Sequence, residues 1–407
     1  MNILVIGNGF DLAHGFPTKY ADFLEFCKVM KQVVDFGVPD EKIDYGEVND
    51  EIIVLIKNGL KTIDRAEWKN LIYENLWIKY FLWNPMYQKE NWIDFESEIS
   101  EVIQSIDNDM LIDEEKKCDI QNVVYELSND FLGKIYEEYM YMYQTANESA
   151  DSKKKKITYK EIRDELYADL NKLIRALELY LAEYVDKMQC KVISPDLDGI
   201  YPDSILSFNY THNYSKIYDE QGFCKYDYIH GEAREESSII NNNMVLGIDE
   251  YLDDDRKDND IDFIAFKKFY QRIYKGTGCL YQDWVESFKM KSIIMNRSTK
   301  VFTEDGKNKI LRSQAKYHNV YIYGHSLDDT DKDVLRSLIL NDKVKTTIYY
   351  NKTYDDTGNH DNGLKSLGEK IANLVKVIGQ DELIKRTGGG KKTIVFKLQE
   401  DMIGKKG

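Results

Sequence analysis

The sequence predicts an α/β protein with a mostly parallel sheet and a large α-helical insertion between its first and second strands. Three observations predict it. The chain opens on a branched apolar run at residues 2–6 that stops at Gly7-Asn8-Gly9, the pattern of a buried strand ended by a turn. From residue 40 to about 189, strand signals nearly vanish and charged helix formers dominate. After Pro202, short apolar runs return at 204–208, 225–229, 244–248, 319–323, 345–350 and 393–397, most separated by helix-length or loop-rich stretches. Such alternation suits a parallel sheet covered on both faces. The expected division is an α/β nucleotide-binding domain from 1–39 and 190–407, with 40–189 as the helical insertion.

Taken in order, the Gly7-Asn8-Gly9 turn leads into Phe10 to His14, which can open a helix with Asp11 among its first residues. A strand, a glycine turn and a helix start make a phosphate cradle, or equally an ordinary turn of an α/β domain. The full dinucleotide fingerprint is absent, because Leu12 holds the third glycine position. Gly15-Phe16-Pro17-Thr18 is a second break. Residues 19–34 read as a helix with Tyr20, Phe23, Leu24 and Phe26 on its apolar face. Helical spacing recurs at 51–61, 68–81, 95–106 and 161–188. In the last of these, Leu166, Leu170, Leu173, Ile174, Leu177, Leu181 and Val185 form one stripe, the core of a helix bundle. Trp92 precedes Asp94 and Glu96, two acids suited to capping the next helix or to acid catalysis. The run Lys153-Lys154-Lys155-Lys156 reads as a solvated loop. Residues 249–262 form an acidic loop, 265–295 an aromatic helical stretch, and Gly388-Gly389-Gly390-Lys391-Lys392 a turn without the Walker spacing.

Composition narrows the class. A hydrophobic fraction of 43% over 407 residues, with thirty Tyr and sixteen Phe, is ample for a core. A formal charge of -16 disfavours broad non-specific contact with nucleic acid. The five cysteines (Cys27, Cys118, Cys190, Cys224 and Cys279) are scattered and form no C-x-x-C pair, which suits reduced thiols and gives no zinc knuckle. The sequence shows neither a signal-peptide pattern nor an apolar run of membrane-spanning length. A cytoplasmic protein that does not engage membranes is expected.

Chemistry concentrates in loops that follow predicted strands, where an open α/β sheet gathers its ligands. These loops carry Gly7 to Asp11, Ser207-Phe208-Asn209-Tyr210-Thr211, His230-Gly231, and Gly324-His325-Ser326-Leu327-Asp328 with Asp331 close behind. Asn209 can both donate and accept, and His230 is the type of residue that serves as a base near neutral pH. Asp328 or Asp331 could hold ribose hydroxyls. Alternatively, Ser326, Asp328 and Asp331 simply cap the helix that follows. His14, His212 and His318 carry less weight.

Read together and in order, these motifs resemble sirtuin and sirtuin-like NAD-consuming domains. Gly7-Asn8-Gly9-Phe10-Asp11, Gly15-Phe16-Pro17-Thr18-Lys19-Tyr20, Ser207-Phe208-Asn209-Tyr210-Thr211, His230-Gly231 and Gly324-His325-Ser326-Leu327 match that family's successive signatures. The resemblance does not extend to the paired zinc-binding cysteines of sirtuin deacylases. A closer resemblance, which adds Trp92-Ile93-Asp94-Phe95-Glu96, is to the AbiH family of bacteriophage abortive-infection proteins.

These resemblances imply a Rossmann-like fold and an anti-phage effector that binds NAD as its substrate and hydrolyses the nicotinamide–ribose bond. Asn209 and His230 are then the catalytic pair. Gly7, Asn8, Gly9, Phe10, Asp11, Thr18, Tyr20, Gly324, His325, Ser326 and Asp328 line the nucleotide, and no metal is expected. A phage-derived trigger and a homo-oligomer are the partners implied. Two other readings remain: a nucleotide-binding sensor without turnover, and an effector directed at RNA or DNA in which Asp94, Glu96, Asp328 and Asp331 hold Mg²⁺.

Overall fold

The computed structural model describes residues 1–35, 37–84, 87, 93–115, 127–136, 158–252, 254–257, 260–295, 299–302, 308–311, 317–341, 343–352, 361–390 and 392–405. Asn91, Trp92, Cys118, Lys153 to Lys156 and Lys391 lie outside the described residues. The chain divides into two compact units. One comprises Met1–Thr18, Val185–Glu232 and Gly276–Gly407, and the other Lys19–Tyr184 and Ala233–Lys275.

The first unit is built on six strands: β1 (Asn2–Ile6), β2 (Ser204–Ser207), β3 (Lys225–Tyr228), β4 (His318–Tyr323), β5 (Val344–Tyr350) and β6 (Ile394–Leu398). Their order in the sheet is β3-β2-β1-β4-β5-β6, and every pairing is parallel. The fold is therefore mixed α/β with a parallel six-stranded sheet. The order steps outward from β1 to β3, then resumes at β4 on the other side of β1.

The helices used below are α1 (Asn8–Ala13), α2 (Tyr20–Val34), α3 (Asp50–Gly59), α4 (Arg65–Ile72), α5 (Leu76–Trp83), α6 (Phe95–Glu115), α7 (Tyr159–Glu183), α8 (Asn213–Tyr218), α9 (Lys268–Lys275), α10 (Tyr281–Met295), α11 (Lys332–Ile339), α12 (Leu364–Ile378) and α13 (Gln380–Thr387).

Alternation along β1 explains its uninterrupted apolar sequence. Ile3 and Val5 join a core with Leu206, Val320, Ile322 and Ile348, closed by Trp284 and Phe288 of α10, Leu335 and Leu338 of α11, and Leu374 and Val377 of α12. Leu4 and Ile6 are also buried. As alternate residues of a strand they point to the other face. Aromatic rings gather around the end of β4, where Phe10 of α1 meets Tyr323 edge-on at 6.2 Å and Tyr214 of α8 at 5.8 Å.

The second unit is helical. The stripe foreseen on α7 is buried from Leu166 to Leu181, and Phe26 of α2 packs on Tyr180 of α7 at 4.8 Å and on Trp68 of α4 at 5.4 Å. Arg175 and Glu178 form a buried ion pair at 2.8 Å. Asp94 caps α6: its carboxylate accepts from the Glu96 N–H and the Ser97 hydroxyl, while Glu96 pairs with Lys268 at 2.5 Å.

Three expectations differ from the structure. Residues 68–81 form parts of two helices, because Asn75 breaks the run. Its Oδ1 accepts from the Trp77 and Ile78 N–H groups, and its Nδ2 donates to the Leu71 and Asp169 carbonyls. Residues 244–248 form no strand of the sheet. They belong to the helical unit, where the Gln271 side chain satisfies both the N–H and the carbonyl of Leu246, and Ile248 makes a single bridge to Lys267. Residues 265–295 divide into α9 and α10 at Gly276 and Gly278, both at positive φ. Two short antiparallel pairs have no counterpart in the sequence pattern, Val192–Ile193 with Ile403–Gly404 and Thr299–Phe302 with Asn308–Leu311. Among the described residues no helix is long and apolar enough to cross a membrane.

Removing the Asn75 side chain leaves helix-end donors of α5 unsatisfied in a buried place. Asn75→Ala is expected to lower stability by about 1–2 kcal/mol, measured by urea unfolding.

Candidate functional site

Four loops leave the carboxyl ends of the adjacent strands β1, β2, β3 and β4. The first and fourth are joined backbone to backbone. Gly7 N–H donates to Tyr323 O at 3.2 Å and Gly9 N–H to Gly324 O at 2.8 Å. A Cβ on Gly324, which sits at φ +69°, would lie 2.1 Å from Phe10 N, and one on Gly9 would lie 2.8 Å from Gly324 O. The glycines therefore serve the close approach of two loops, and the Gly9 N–H is spent within the protein.

The loop after β2 turns onto the first loop through Asp11. This carboxylate is 1% exposed. Its Oδ2 accepts from Asn209 Nδ2 at 3.1 Å and Thr211 Oγ1 at 2.6 Å, and its Oδ1 accepts from Asn213 Nδ2 at 2.9 Å. Burial pushes the Asp11 carboxyl up to about 6. The hydrogen bonds from Thr211, Asn213 and Asn209 offset part of that rise, and the charge of Asp186 adds to it. Ser207 fixes the start of the loop, its hydroxyl accepting from the Asn209 N–H at 3.1 Å.

The loops after β3 and β4 meet at a second, half-buried carboxylate. Asp331 Oδ1 lies 3.5 Å from His230 Nε2, and Oδ2 lies 3.3 Å from His325 Nε2. Burial alone would raise this acid, but hydrogen bonding and charge from both imidazoles overcome it and hold Asp331 well below the usual carboxylate range. His325 Nδ1 accepts from the Leu327 N–H at 2.9 Å, so its Nε2 carries a proton toward Asp331. Phe208 stands edge-on to His325 at 4.2 Å and to His230 at 5.7 Å.

Polar atoms remain to be matched. His230 Nδ1, Asn209 Oδ1 and Asn213 Oδ1 are buried and have no hydrogen-bond partner among the described residues. Beside them His212 is held between two acids, Nδ1 at 3.0 Å from Asp186 Oδ2 and Nε2 at 3.0 Å from Glu232 Oε2. Burial opposes its charge, but these two hydrogen bonds and charges prevail and push His212 up to about 9. His14 differs. Burial pushes it down to about 4, while its ring bonds the Phe10 carbonyl and the Tyr218 hydroxyl.

The structure brings Asp11 and Asn209 into direct contact, and links His230 with His325 through Asp331. Other expected residues turn elsewhere. Asn8 and Thr18 bond each other at 2.5 Å, and Phe10 is fully buried in the core. Tyr20 belongs to the helical unit, stacked on Phe95 at 4.1 Å. Ser326 is exposed and its carbonyl accepts from Asn373, while Asp328 caps the short turn before α11 through the Thr330 N–H. Sequence reasoning missed Asn213 and the His212 bridge. The available signal was three polar residues, Asn209, Thr211 and Asn213, within five positions after a predicted strand.

Comparison with protein families then decides the relationship. The family model described as Bacteriophage abortive infection AbiH matches residues 3–351. The chain belongs to the AbiH family. That span contains all four loops, so this member of a phage-defence family carries Asp11, Asp331, His230 and His325 within the family's matched region. No curated protein matches the chain.

His212 yields a pH test. Its folded value lies above the ordinary 6.5, so the stability it lends is complete below about pH 6.5 and is lost as the pH rises to about 9. Urea unfolding across that window should show stability falling by at most about 1.4 kcal/mol per pH unit from this one proton. In His212→Gln this contribution to the fall is expected to be absent.

Proposed function

We propose that the α/β unit of this AbiH protein is a Rossmann-like, doubly wound NAD-binding domain that hydrolyses the nicotinamide–ribose bond, with the helical stretch 40–189 as an insertion that governs it. The observation that carries the reading is His230. Its Nε2 faces the ionised Asp331, which leaves the lone pair of the neutral ring on Nδ1, the buried atom without a partner. An imidazole oriented by a carboxylate through one nitrogen and unpaired at the other is the arrangement of a general base.

The reaction uses one water. The bond between the pyridinium nitrogen and ribose C1′ breaks, and nicotinamide leaves with the electron pair as a neutral ring. Water oxygen bonds to C1′ as an oxocarbenium-like centre collapses, and the proton it sheds passes to His230 Nδ1. Asn209, whose Nδ2 is fixed on Asp11, offers Oδ1 to the attacking water or to a ribose hydroxyl. Asp331 and Asp11 act through their neighbours. The diphosphate runs over the Gly7–Asn8–Gly9 turn, and the adenosine ribose reaches toward His325, Ser326 and Asp328 at the more open rim.

The fit is best at the ribose end, where the unmatched acceptors stand. It is poorer at the diphosphate, since the Gly9 N–H is already given to Gly324 O. Two acids of the Mg²⁺ reading have other duties: Asp94 caps α6, and Asp328 caps the turn before α11.

Nicotinamide release from NAD, followed by chromatography, tests the proposal. His230→Ala is expected to lose about 10²–10⁴-fold in kcat. Asp331→Asn, which keeps the shape but not the charge, is expected to lower kcat with KM little changed and to shift the pH profile. Unaltered NAD cleavage in His230→Ala would refute the assignment.

A further inference from the structure

The loops after β1 and β2 are joined through one carboxylate, and that junction dictates what the site presents. An ionised carboxylate only accepts hydrogen bonds. The two amides bound to Asp11 must therefore turn Nδ2 toward it, as Asn209 and Asn213 do at 3.1 and 2.9 Å. Their Oδ1 atoms consequently face away, and both are buried without a partner among the described residues. Asn209 is 5% exposed and Asn213 1%. His230 Nδ1 adds a third unmatched acceptor on the neighbouring loop.

We propose that Asp11 is a positioning residue that fixes Asn209 and Asn213 with their Oδ1 atoms turned away from it and unmatched, so that this end of the site selects a group that donates hydrogen bonds over an anion. Sugar hydroxyls and a carboxamide NH₂ share that chemistry. A phosphate or carboxylate would set lone pairs against lone pairs and leave the buried acceptors unsatisfied. The inference rests on the site being the ligand pocket of the proposed function, and it gives that pocket a polarity. It also changes the part assigned to Asp11, which acts through the asparagines and does not itself touch the substrate.

Two matched ligand pairs test it by calorimetry on the full chain: ribose 5-phosphate against 2-deoxyribose 5-phosphate, and nicotinamide against nicotinic acid. The first member of at least one pair is expected to bind at least about tenfold tighter than the second. The sugar pair reports hydroxyl recognition, the pyridine pair carboxamide recognition. In Asp11→Asn one oxygen becomes an NH₂, an asparagine turns over to meet it, and the preference is expected to vanish. In Thr211→Val both amides keep their orientation, and the preference is expected to persist.

Equal binding within both pairs, or no binding by any of the four, overturns the inference, and neither result depends on a variant folding. A preference retained in Asp11→Asn overturns the role of Asp11. NAD cleavage is measured alongside. Cleavage without any preference leaves the proposed function standing and removes this inference, whereas a preference without cleavage does the reverse.

Discussion

The buried carboxylate of Asp11 is the constraint on which the site depends. It sits in the short helix α1 that follows the strand the sheet is built around, and it collects three side-chain donors from the segment between β2 and the first residue of α8. Withdrawing an acid from water costs free energy unless its oxygens are filled. Here they are filled by two amides and a hydroxyl, so the first and second loops hold each other. The Gly9 to Gly324 contact adds the fourth loop to the same assembly. Parallel strands alone would bring the loops near one another. The carboxylate and the glycine contact set which atoms face which.

Two acids in this unit, Asp11 buried and Asp331 half-buried, take opposite electrostatic courses. Asp11 has only neutral donors around it, with another carboxylate near, and burial pushes its carboxyl up to about 6. Asp331 lies between two imidazoles, and their hydrogen bonds and charges hold it well below the ordinary carboxylate range. Environments that push like groups apart assign them different work. Asp331 is suited to keep its charge and orient His230. Asp11 is suited to organise hydrogen bonds. His212, clasped by Asp186 and Glu232, adds a cation between two acids beside them.

Membership of the AbiH family places the chain among phage-defence proteins, and the chemistry is argued from the site itself. Much of the frame was legible because local pattern and tertiary environment agree. β1 reads as buried on both faces, since its neighbours on each side are strands and both faces are covered. The stripe of α7 is a bundle core. Where the two disagree, side chains from elsewhere in the chain intervene. Asn75 ends one helix and starts the next through bonds that include the Asp169 carbonyl. Residues 244–248 are apolar enough for a strand, but Gln271 occupies the backbone groups of Leu246 that a neighbouring strand would have used.

The sequence by itself determined the parallel α/β frame, the strand-ending loops that carry polar residues, and the resemblance on which family membership was expected. These are encoded in short windows, by apolar period, by glycine breaks and by motif order. Tertiary structure alone decided how those residues are used. The donors to Asp11 come from 198 to 202 residues further along the chain, so no local pattern shows that its carboxylate is saturated. The bridge from His230 to His325 passes through Asp331, which by sequence was equally a helix cap or a ribose holder. Which nitrogen of His230 is left open, and which way the two asparagine amides point, follow from hydrogen bonds that exist only once the four strand ends stand side by side.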